Sequence, residues 1–412
     1  MVSMEELLNL MVQRGGSDLH LSVGAPPKIR IDGKLVDTEY EVLMPEATKK
    51  LVYSVLGPDQ VAKLEKNLEI DFSFGVQTLG RFRTNAFVQR GSVAAVLRVI
   101  PYEVYDFQTI GLPVKVCEWI CNLPRGLVLC TGSTGSGKST TLASMINYIN
   151  ESRQGHIITI EDPIEFLHRN KGCLINQREV GGDTHGFDKA LKSVLRQDPD
   201  VVLVGEIRDQ ETADIAIKAA LTGHLVLSTL HTNSAPETVT RLLDMGLEPF
   251  NVASALNLVL AQRLVRRICS RCRHKYIPDE VELGGAKVKA ETTFRELRFT
   301  TEALENAKSR ALPDALPHLA NLSLDSCIGD IPFFKGRGCD DCNGTGLKGR
   351  QGLYEVMFMT PHLRKLILMN VGAQEIRDAA IEEGMLTLRM DGWLKVLKGI
   401  TTLEQVIRET AV

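Results

Sequence analysis

Residues 132–139 have the composition of a loop that binds phosphate. Their sequence, Gly-Ser-Thr-Gly-Ser-Gly-Lys-Ser, follows the pattern G-x-x-x-x-G-K-[ST]. Glycines let backbone amides turn towards phosphate oxygens, and the first turn of a following helix favours negative charge. Lys138 would contact the β- and γ-phosphates of a nucleotide, and the hydroxyl of Ser139 would bind Mg²⁺. We therefore predict a nucleotide site, called here the phosphate loop, formed by Gly132, Ser133, Thr134, Gly135, Ser136, Gly137, Lys138, Ser139 and Thr140.

The segments on either side of the phosphate loop support this prediction. An apolar run at 127–130 has the composition of a buried strand, and residues 140–149 show a helical pattern of apolar side chains. A strand, a glycine-rich turn and a helix in this order place the helix N-terminus at the phosphates. The alternative, a chance loop of glycine and serine, would not predict this strand and helix.

Acidic residues follow two further apolar runs. Glu206 comes shortly after Val201–Val204, and three carboxylates, the last of them Glu165, follow the run 157–160. Ligands of open α/β sheets bind beyond the carboxyl ends of the strands, so Glu206 could hold Mg²⁺ or polarise water there. Carboxylates at one strand end repel one another unless a cation is near, and a metal–nucleotide site would supply one. The alternative for both groups is a solvated acidic turn.

Two histidines flank a fourth apolar run. His224 precedes Leu225–Leu230 and His231 follows it. His231 at the carboxyl end could reach the crevice of the phosphate loop, so we predict that it contacts the γ-phosphate. A structural role remains open for both histidines, and for His224 it is as well supported as a role in the site.

Two Cys-x-x-Cys pairs could hold a metal ion. Their members are Cys269, Cys272, Cys339 and Cys342. Four thiolates complete the tetrahedral ligand set of a structural Zn²⁺ site and leave no open position for catalysis. Disulfides are the alternative, but they are uncommon in cytosolic proteins. We therefore predict a structural zinc ion that clamps a thinly packed subdomain.

The pattern of apolar residues changes along the chain and indicates the fold class. The first hundred residues mix helices with alternating strands, which is typical of an α+β module. From Gly126 onward, short and fully apolar runs alternate with helices, so we predict an α/β fold with a largely parallel sheet and helices on both faces. Residues 283–325 have few large apolar side chains at a regular period, and we predict a poorly packed insertion there. A helical tail follows.

Composition excludes several classes of protein. Hydrophobic residues are 44% and charged residues 24% of the 412 residues, which excludes a globally disordered or fibrous chain. The formal net charge of −3, from 51 acidic and 48 basic residues, gives no support to bulk binding of nucleic acid. No apolar run approaches the roughly 18 residues of a membrane span. We therefore expect a cytoplasmic protein without direct nucleic-acid binding.

Five segments, taken in order, resemble one family. They are Thr-Gly-Ser-Thr-Gly-Ser-Gly-Lys-Ser-Thr-Thr at 131–141, Thr-Ile-Glu-Asp-Pro-Ile-Glu-Phe at 159–166, Arg-Gln-Asp-Pro-Asp at 196–200, Val-Gly-Glu-Ile-Arg-Asp at 204–209, and the two histidines with their neighbours at 222–232. In this order they resemble the type II and type IV secretion ATPases over nearly the whole chain. The resemblance implies a homo-hexamer with a RecA-like P-loop ATPase core that hydrolyses ATP with Mg²⁺.

The resemblance also implies roles for single residues. By motif position, the catalytic group is Glu165, Glu206, His231, His224, Arg83 and Arg98. Glu165 would activate water, and Ser139 with Glu206 would hold Mg²⁺. The arginines come from the N-terminal module, and a moving domain that supplies an arginine can couple closure to hydrolysis. The alternative for the arginines is a solvated strand face.

The family architecture divides the chain into five parts. It implies a PAS-like α+β domain at 1–100, a linker at 101–113 and a RecA-like ATPase domain at 114–262. A zinc-binding subdomain with the insertion would occupy 263–345, and a C-terminal helical region would occupy 346–412.

Different segments resemble different branches of the family. Ser-Asp-Leu-His-Leu-Ser at 17–22 resembles pilus-retraction ATPases, whereas the tetracysteine set and Gly-Arg-Gln-Gly-Leu-Tyr-Glu at 349–355 resemble assembly and secretion motors. We give more weight to the tetracysteine set, because it is a whole structural element. We therefore predict a motor for type IV pilus assembly or type II secretion, with pilus retraction as the alternative. The implied partners are an inner-membrane platform protein and its pilus or secretion machinery, and the membrane would be reached only through them.

Overall fold

The computed structural model describes residues 2–31, 33–77, 79–309 and 315–411. Contacts within the chain divide it into two units. The first comprises Met1–Val104 with Pro163–Arg169, and the second comprises Tyr105–Asp162 with Asn170–Val412. The proposed subdivision of the second unit at residues 262 and 345 stays a prediction.

The described residues of the first unit form a six-stranded antiparallel sheet and three helices. The elements are α1 (Met4–Gln13), β1 (Asp18–Leu21), β2 (Lys28–Ile31), β3 (Lys34–Asp37), α2 (Pro45–Tyr53), α3 (Pro58–Asn67), β4 (Glu69–Val76), β5 (Gly80–Gln89) and β6 (Ser92–Ile100). The strands lie in the order β3-β2-β1-β6-β5-β4. Alternate residues of β5, among them Phe82, Thr84 and Ala86, are buried, so the strand presents one face to the core and the other to solvent.

A capping box starts the first helix. The Oγ of Ser3 accepts a hydrogen bond from the backbone N–H of Glu6, and the carboxylate of Glu6 accepts one from the N–H of Ser3 at 2.7 Å. One face of α1, with Leu7, Leu8 and Met11, is fully buried in the core of the first unit. The sequence thus fixes both the start of α1 and the face that packs.

The second unit contains a seven-stranded sheet with helices around it. Its elements are α4 (Val114–Cys121), β7 (Gly126–Thr131), α5 (Lys138–Ser152), β8 (His156–Glu161), β9 (Leu174–Glu179), α6 (Phe187–Val194), β10 (Val201–Val204), α7 (Gln210–Leu221), β11 (Leu225–Leu230), α8 (Ala235–Asp244), α9 (Pro249–Ala255), β12 (Leu256–Ile268), β13 (Arg273–Tyr276), α10 (Glu280–Gly285), α11 (Thr301–Ser309), α12 (Leu316–Leu319), β14 (Phe333–Gly336), β15 (Leu347–Phe358), α13 (Pro361–Leu368), α14 (Ala373–Glu382), α15 (Leu388–Leu397) and α16 (Leu403–Glu409).

The large sheet is mostly parallel and buried on both faces. Its strand order is β15-β12-β7-β11-β10-β8-β9, and only β15 is antiparallel to its neighbour. Consecutive residues of β7 enter different cores: Leu127 and Leu129 pack in one, and Val128 and Cys130 pack in the other. A strand with both faces covered favours apolar side chains, which explains the apolar run Leu127–Cys130. The predicted α/β fold with a largely parallel sheet is confirmed.

The prediction of a poorly packed insertion at 283–325 is wrong. The described part of this segment contributes many fully or nearly fully buried side chains to a core of its own with α15 and α16: Leu283, Phe294, Phe299, Leu304, Leu319 and Leu322 pack with Phe333, Trp393 and Val406. Its described residues form short helices and turns, so their apolar side chains follow no single period. Periodicity detects long regular elements, and it fails here for that reason.

None of the helices in the described ranges could cross a membrane. The longest of them, α5, has 15 residues, whereas a bilayer requires about 20.

Candidate active site

The phosphate loop connects the carboxyl end of β7 to the first turn of α5. Gly132 has a φ of +147°, and a Cβ there would lie only 2.4 Å from the backbone oxygen of Gln262, so only glycine fits. Lys138 is 9% exposed, and its Nζ donates hydrogen bonds to the backbone oxygens of Gly132 at 2.9 Å and Ser133 at 3.1 Å. The lysine side chain therefore lies across the loop from which it would contact phosphate.

Gln262 joins the phosphate loop to the neighbouring strand, a role that the sequence did not reveal. It follows the apolar stretch of β12 and is 2% exposed. Its Nε2 donates to the backbone oxygen of Ser136 at 2.8 Å, and its Oε1 accepts from the hydroxyl of Thr141 at 2.9 Å. One buried amide thus holds both the loop and the first turns of α5. The only signal in the sequence is a polar residue directly after an apolar run.

The loop has the properties of a cradle for an anion. Its Ser136 Oγ and the Oγ1 of Thr131 are buried, and neither has a hydrogen-bond partner among the residues that the structure describes. Ser139 and Thr140 lie in the first turn of α5, where backbone N–H groups and the helix dipole favour negative charge. A buried polar atom without a partner is costly, so a ligand that accepts or donates hydrogen bonds fits this loop.

Glu206 and His231 are in contact next to the loop. The Oε2 of Glu206 lies 3.1 Å from the Nε2 of His231, and the Oε1 accepts a hydrogen bond from the Nε of Arg208. Arg208 also reaches the carboxylate of Asp162 at 3.3 Å. Burial lowers the pKa of His231, and the positive charges of Lys138 and Arg208 lower it further. The imidazole is therefore neutral at neutral pH and can donate a hydrogen bond to Glu206.

Three adjacent parallel strands bring these groups together. Thr131 of β7 pairs with Leu230 of β11, and Val204 of β10 pairs with Ser228 of β11. The phosphate loop, His231 and Glu206 therefore all follow the carboxyl ends of neighbouring strands. This is the edge at which open α/β sheets bind ligands.

The structure does not bring His224 to the same edge. It precedes β11 at the amino end of the sheet, where the N–H of Gly126 donates to its backbone oxygen at 3.0 Å. Its Nδ1 lies 3.0 Å from the backbone oxygen of Ala219 at the end of α7. A strand of six residues spans about 20 Å, so within one chain His224 and His231 lie at opposite ends of the sheet.

Glu165 is assigned to the other unit of the chain. It is exposed and belongs to Pro163–Arg169, the segment that groups with the first unit. The structure therefore groups Lys138, Glu206 and His231 in one unit and Glu165 in the other.

The two predicted arginines lie side by side on the sheet of the first unit. Arg83 pairs across the strands with Arg98, Arg98 pairs with Asp18, and Asp18 pairs with Arg30. The Nε of Arg98 donates to Asp18 at 2.7 Å, and Arg30 lies 3.8 Å from the same carboxylate. Like charges on adjacent strands repel, and Asp18 offsets this repulsion. With three guanidinium groups and one carboxylate, this row favours an anion.

The four predicted zinc ligands converge in the second unit. Their sulfur atoms all lie within 4.8 Å of one another. The Sγ–Sγ distances are 3.8 Å for Cys269–Cys339, 3.9 Å for Cys272–Cys342 and 3.7 Å for Cys339–Cys342. A tetrahedral zinc ion with Zn–S bonds of about 2.3 Å requires sulfurs roughly 3.8 Å apart. The four thiols therefore fit Zn²⁺.

The surroundings of one cysteine favour the thiolate that a metal requires. Burial opposes ionisation of Cys342, but the backbone N–H groups of Cys339 and Gly346 point at its sulfur, both at 3.2 Å. Together with the neighbouring thiols they lower the pKa of Cys342 to about 6. Amide donors of this kind are typical of the outer shell of a metal site.

Comparisons with known proteins agree with the fold and the motifs. The family model described as type II/IV secretion system protein matches residues 5–408. The type IV pilus retraction ATPase PilT of Pseudomonas aeruginosa is 46% identical over 307 residues, which cover 73% of this chain and 83% of that protein. The type IV pilus assembly ATPase PilB of Myxococcus xanthus is 36% identical over 425 residues, with 98% of this chain and 68% of that protein covered.

A solved structure extends the similarity to the fold. The crystal structure of the pilus retraction motor PilT with bound ADP is similar with a TM-score of 0.75 at 36% identity, and the match covers 99% of this chain and 97% of that chain. The assignment made from the five sequence motifs is thus confirmed, and the chain belongs to the type II/IV secretion system protein family.

Proposed function

We propose that this chain is an ATP-hydrolysing motor of a type IV pilus and that it acts in pilus retraction. The observation that carries the ATPase activity is the cluster of Lys138, Glu206 and His231 at the carboxyl ends of adjacent parallel strands. The relatives are consistent with it, since they are named as pilus ATPases.

The direction of force differs from the main prediction made from the sequence. The motifs outside the core favoured assembly or secretion, but the retraction ATPase PilT is the more similar of the two pilus relatives in the matched region, at 46% against 36% identity. The retraction motor with bound ADP is also similar along almost the whole of both chains. The alternative is therefore better supported than the main prediction.

Each residue of the site would have a distinct role in ATP hydrolysis. Lys138 would exchange the two loop oxygens that it now contacts for phosphate oxygens of ATP, and the amides of the loop would bind the same phosphates. Neutral His231 would sense the outermost phosphate while it orients Glu206. Ser139 and Glu206 would hold Mg²⁺, which supplies positive charge against the phosphates when it is bound. By family resemblance, Glu165 would activate the attacking water.

By family resemblance, closure of the N-terminal domain of one subunit on the motor domain of its neighbour would couple hydrolysis to movement. The row of Arg30, Arg98 and Arg83 offers positive charge suited to the γ-phosphate. By family resemblance the working form is a homo-hexamer that transmits the change to an inner-membrane platform protein. The zinc ion at the four cysteines would stabilise the fold without taking part in chemistry, because its ligand set is complete.

Pilus assembly is the second candidate. It is favoured by the tetracysteine set, which resembles assembly motors, and by the match of the assembly ATPase PilB to 98% of the chain.

Deletion of the gene in its own bacterium separates the two candidates. A retraction motor predicts surplus surface pili that do not retract, and the wild-type gene should restore normal numbers whereas a Lys138→Ala gene should not. Complete loss of surface pili would instead support assembly and contradict retraction.

A further inference from the structure

A buried carboxylate outside the site described above lies close to its histidine segment. Glu355 is in β15 and is 3% exposed. It pairs across the strands with Ala261, the residue before Gln262. Burial of a carboxylate in the interior is costly unless hydrogen bonds satisfy it. The two oxygens of Glu355 therefore need hydrogen-bond donors in the interior.

The two oxygens of Glu355 join the beginnings of two helices. Oε1 accepts a hydrogen bond from the N–H of Ala235 at 2.6 Å, and Oε2 accepts one from the N–H of Leu388 at 3.2 Å. Ala235 is the first residue of α8, and Leu388 is the first residue of α15. The first N–H groups of a helix have no partner within the helix, and both helix dipoles favour a negative charge at this point. Burial raises the pKa of Glu355, and these N–H groups oppose that rise.

The start of α8 is tied closely to His231. Only residues 232–234 separate His231 from Ala235. Two of these residues are held by arginines from other elements: Arg377 of α14 donates to the Oγ of Ser234 at 3.2 Å, and Arg263 of β12 donates to the Oδ1 of Asn233 at 2.6 Å. The segment 232–234 therefore has little freedom, and a displacement of Ala235 would move His231.

We propose that Glu355 is a positioning residue that sets His231 against Glu206 and links the C-terminal helix α15 to the nucleotide site. Because Glu355 accepts hydrogen bonds from both Leu388 and Ala235, it connects α15 to the segment that carries His231. Movement of the C-terminal region would thus change the placement of His231, and the state of the site would act back on α15. This inference rests on the proposed ATPase function.

The test replaces the carboxylate by an amide of the same shape. Glu355→Gln keeps one acceptor oxygen and places an NH₂ group against the second N–H. We expect kcat for ATP hydrolysis by the full-length multimer to fall roughly tenfold or more, because a small displacement of a catalytic group is costly, with little change in ATP affinity. Thr401→Val is the matched control, since it removes a different buried hydrogen bond of the C-terminal region, from its Oγ1 to the backbone oxygen of Arg266 at 2.8 Å.

A double-variant cycle distinguishes positioning from simple stabilisation. If Glu355 acts through His231, Glu355→Gln should have little further effect on kcat in a His231→Ala background. Equal loss of kcat in both backgrounds, or a loss no larger than that of Thr401→Val at the same melting temperature, would overturn the inference. Should Glu355→Gln not fold, Arg377→Met disturbs the same segment through Ser234 and is expected to lower kcat in the same way, and unchanged kcat would contradict the proposal.

Assay of the wild-type protein distinguishes failure of the inference about Glu355 from failure of the proposed ATPase function. Absence of hydrolysis by the wild type would refute the proposed function. Hydrolysis by the wild type with normal turnover by Glu355→Gln would refute only the role of Glu355.

Discussion

The link between Gln262 and the phosphate loop predicts a large effect of one substitution far along the sequence from the motif. Gln262→Leu conserves volume but removes the hydrogen bonds to the backbone oxygen of Ser136 and the hydroxyl of Thr141. Each buried group left without a partner costs about 1–3 kcal/mol. Burial of the leucine recovers part of this, roughly 1–2 kcal/mol. We therefore expect a net loss of about 2 kcal/mol.

Much of this loss should appear in nucleotide binding. Both hydrogen bonds hold the loop and the first turns of α5, so their removal lets the phosphate-binding amides move. A change of about 1.4 kcal/mol alters an equilibrium constant tenfold, so the Kd for ATP should rise roughly tenfold or more. Titration with a fluorescent ATP analogue measures the Kd, and thermal unfolding measures the stability in the same preparation.

Asn150→Leu provides the control at the other end of α5. Asn150 is 1% exposed, and its Oδ1 accepts from the N–H groups of Lys171 and Cys173 at 3.1 and 3.2 Å. This variant should lose comparable stability and keep its affinity for ATP. If both variants bind ATP equally, or if Gln262→Leu binds ATP as well as the wild type, the hydrogen bonds of Gln262 do not position the loop.

Three further predictions concern the site and the cysteines. Glu206→Gln should lower kcat by at least roughly 10²-fold while ATP still binds, as measured by phosphate release and by titration; normal turnover would exclude Glu206 from the chemistry. Because burial, Lys138 and Arg208 lower the pKa of His231, kcat should fall only below the ordinary histidine range as the imidazole becomes protonated, and His231→Gln should remove this acid limb from a pH–rate profile. Cys339→Ser should reduce zinc to less than one ion per chain by elemental analysis and lower the melting temperature, whereas a native protein purified without zinc would contradict the metal assignment.

The sequence predicts the parts of the site that depend on local chemistry. The phosphate loop and the two cysteine pairs need particular residue types at fixed spacing, so a short segment identifies them. The strands β7, β10 and β11 are also predictable, because burial on both faces leaves them mostly apolar, with Thr131, Ser228 and Thr229 as the polar exceptions. Lys138, Glu206 and His231 follow the carboxyl ends of these three strands.

The contacts missed by sequence reasoning are formed across long separations. Gln262 contacts Thr141 and Ser136 from 121 and 126 residues away, and Glu355 contacts Ala235 from 120 residues away. A single polar residue in an apolar strand has no pattern of its own, and only the register of β12 and β15 shows what it faces. The positions of His224 and Glu165 likewise depend on tertiary structure, since motif order does not state which end of a strand or which unit a residue occupies.

The roles proposed for these residues require that the phosphate loop, with Glu206 and His231 beside it, cleave ATP. The most direct measurement is phosphate release from ATP by the purified full-length chain, assembled as a multimer with Mg²⁺, in parallel with Lys138→Ala. We expect continuous release by the wild type and a rate lower by at least roughly 10²-fold for the variant, since the lysine stabilises charge on the transferred phosphate. Equal release by both proteins, or no release by a folded and assembled wild type, would refute the proposed ATPase activity.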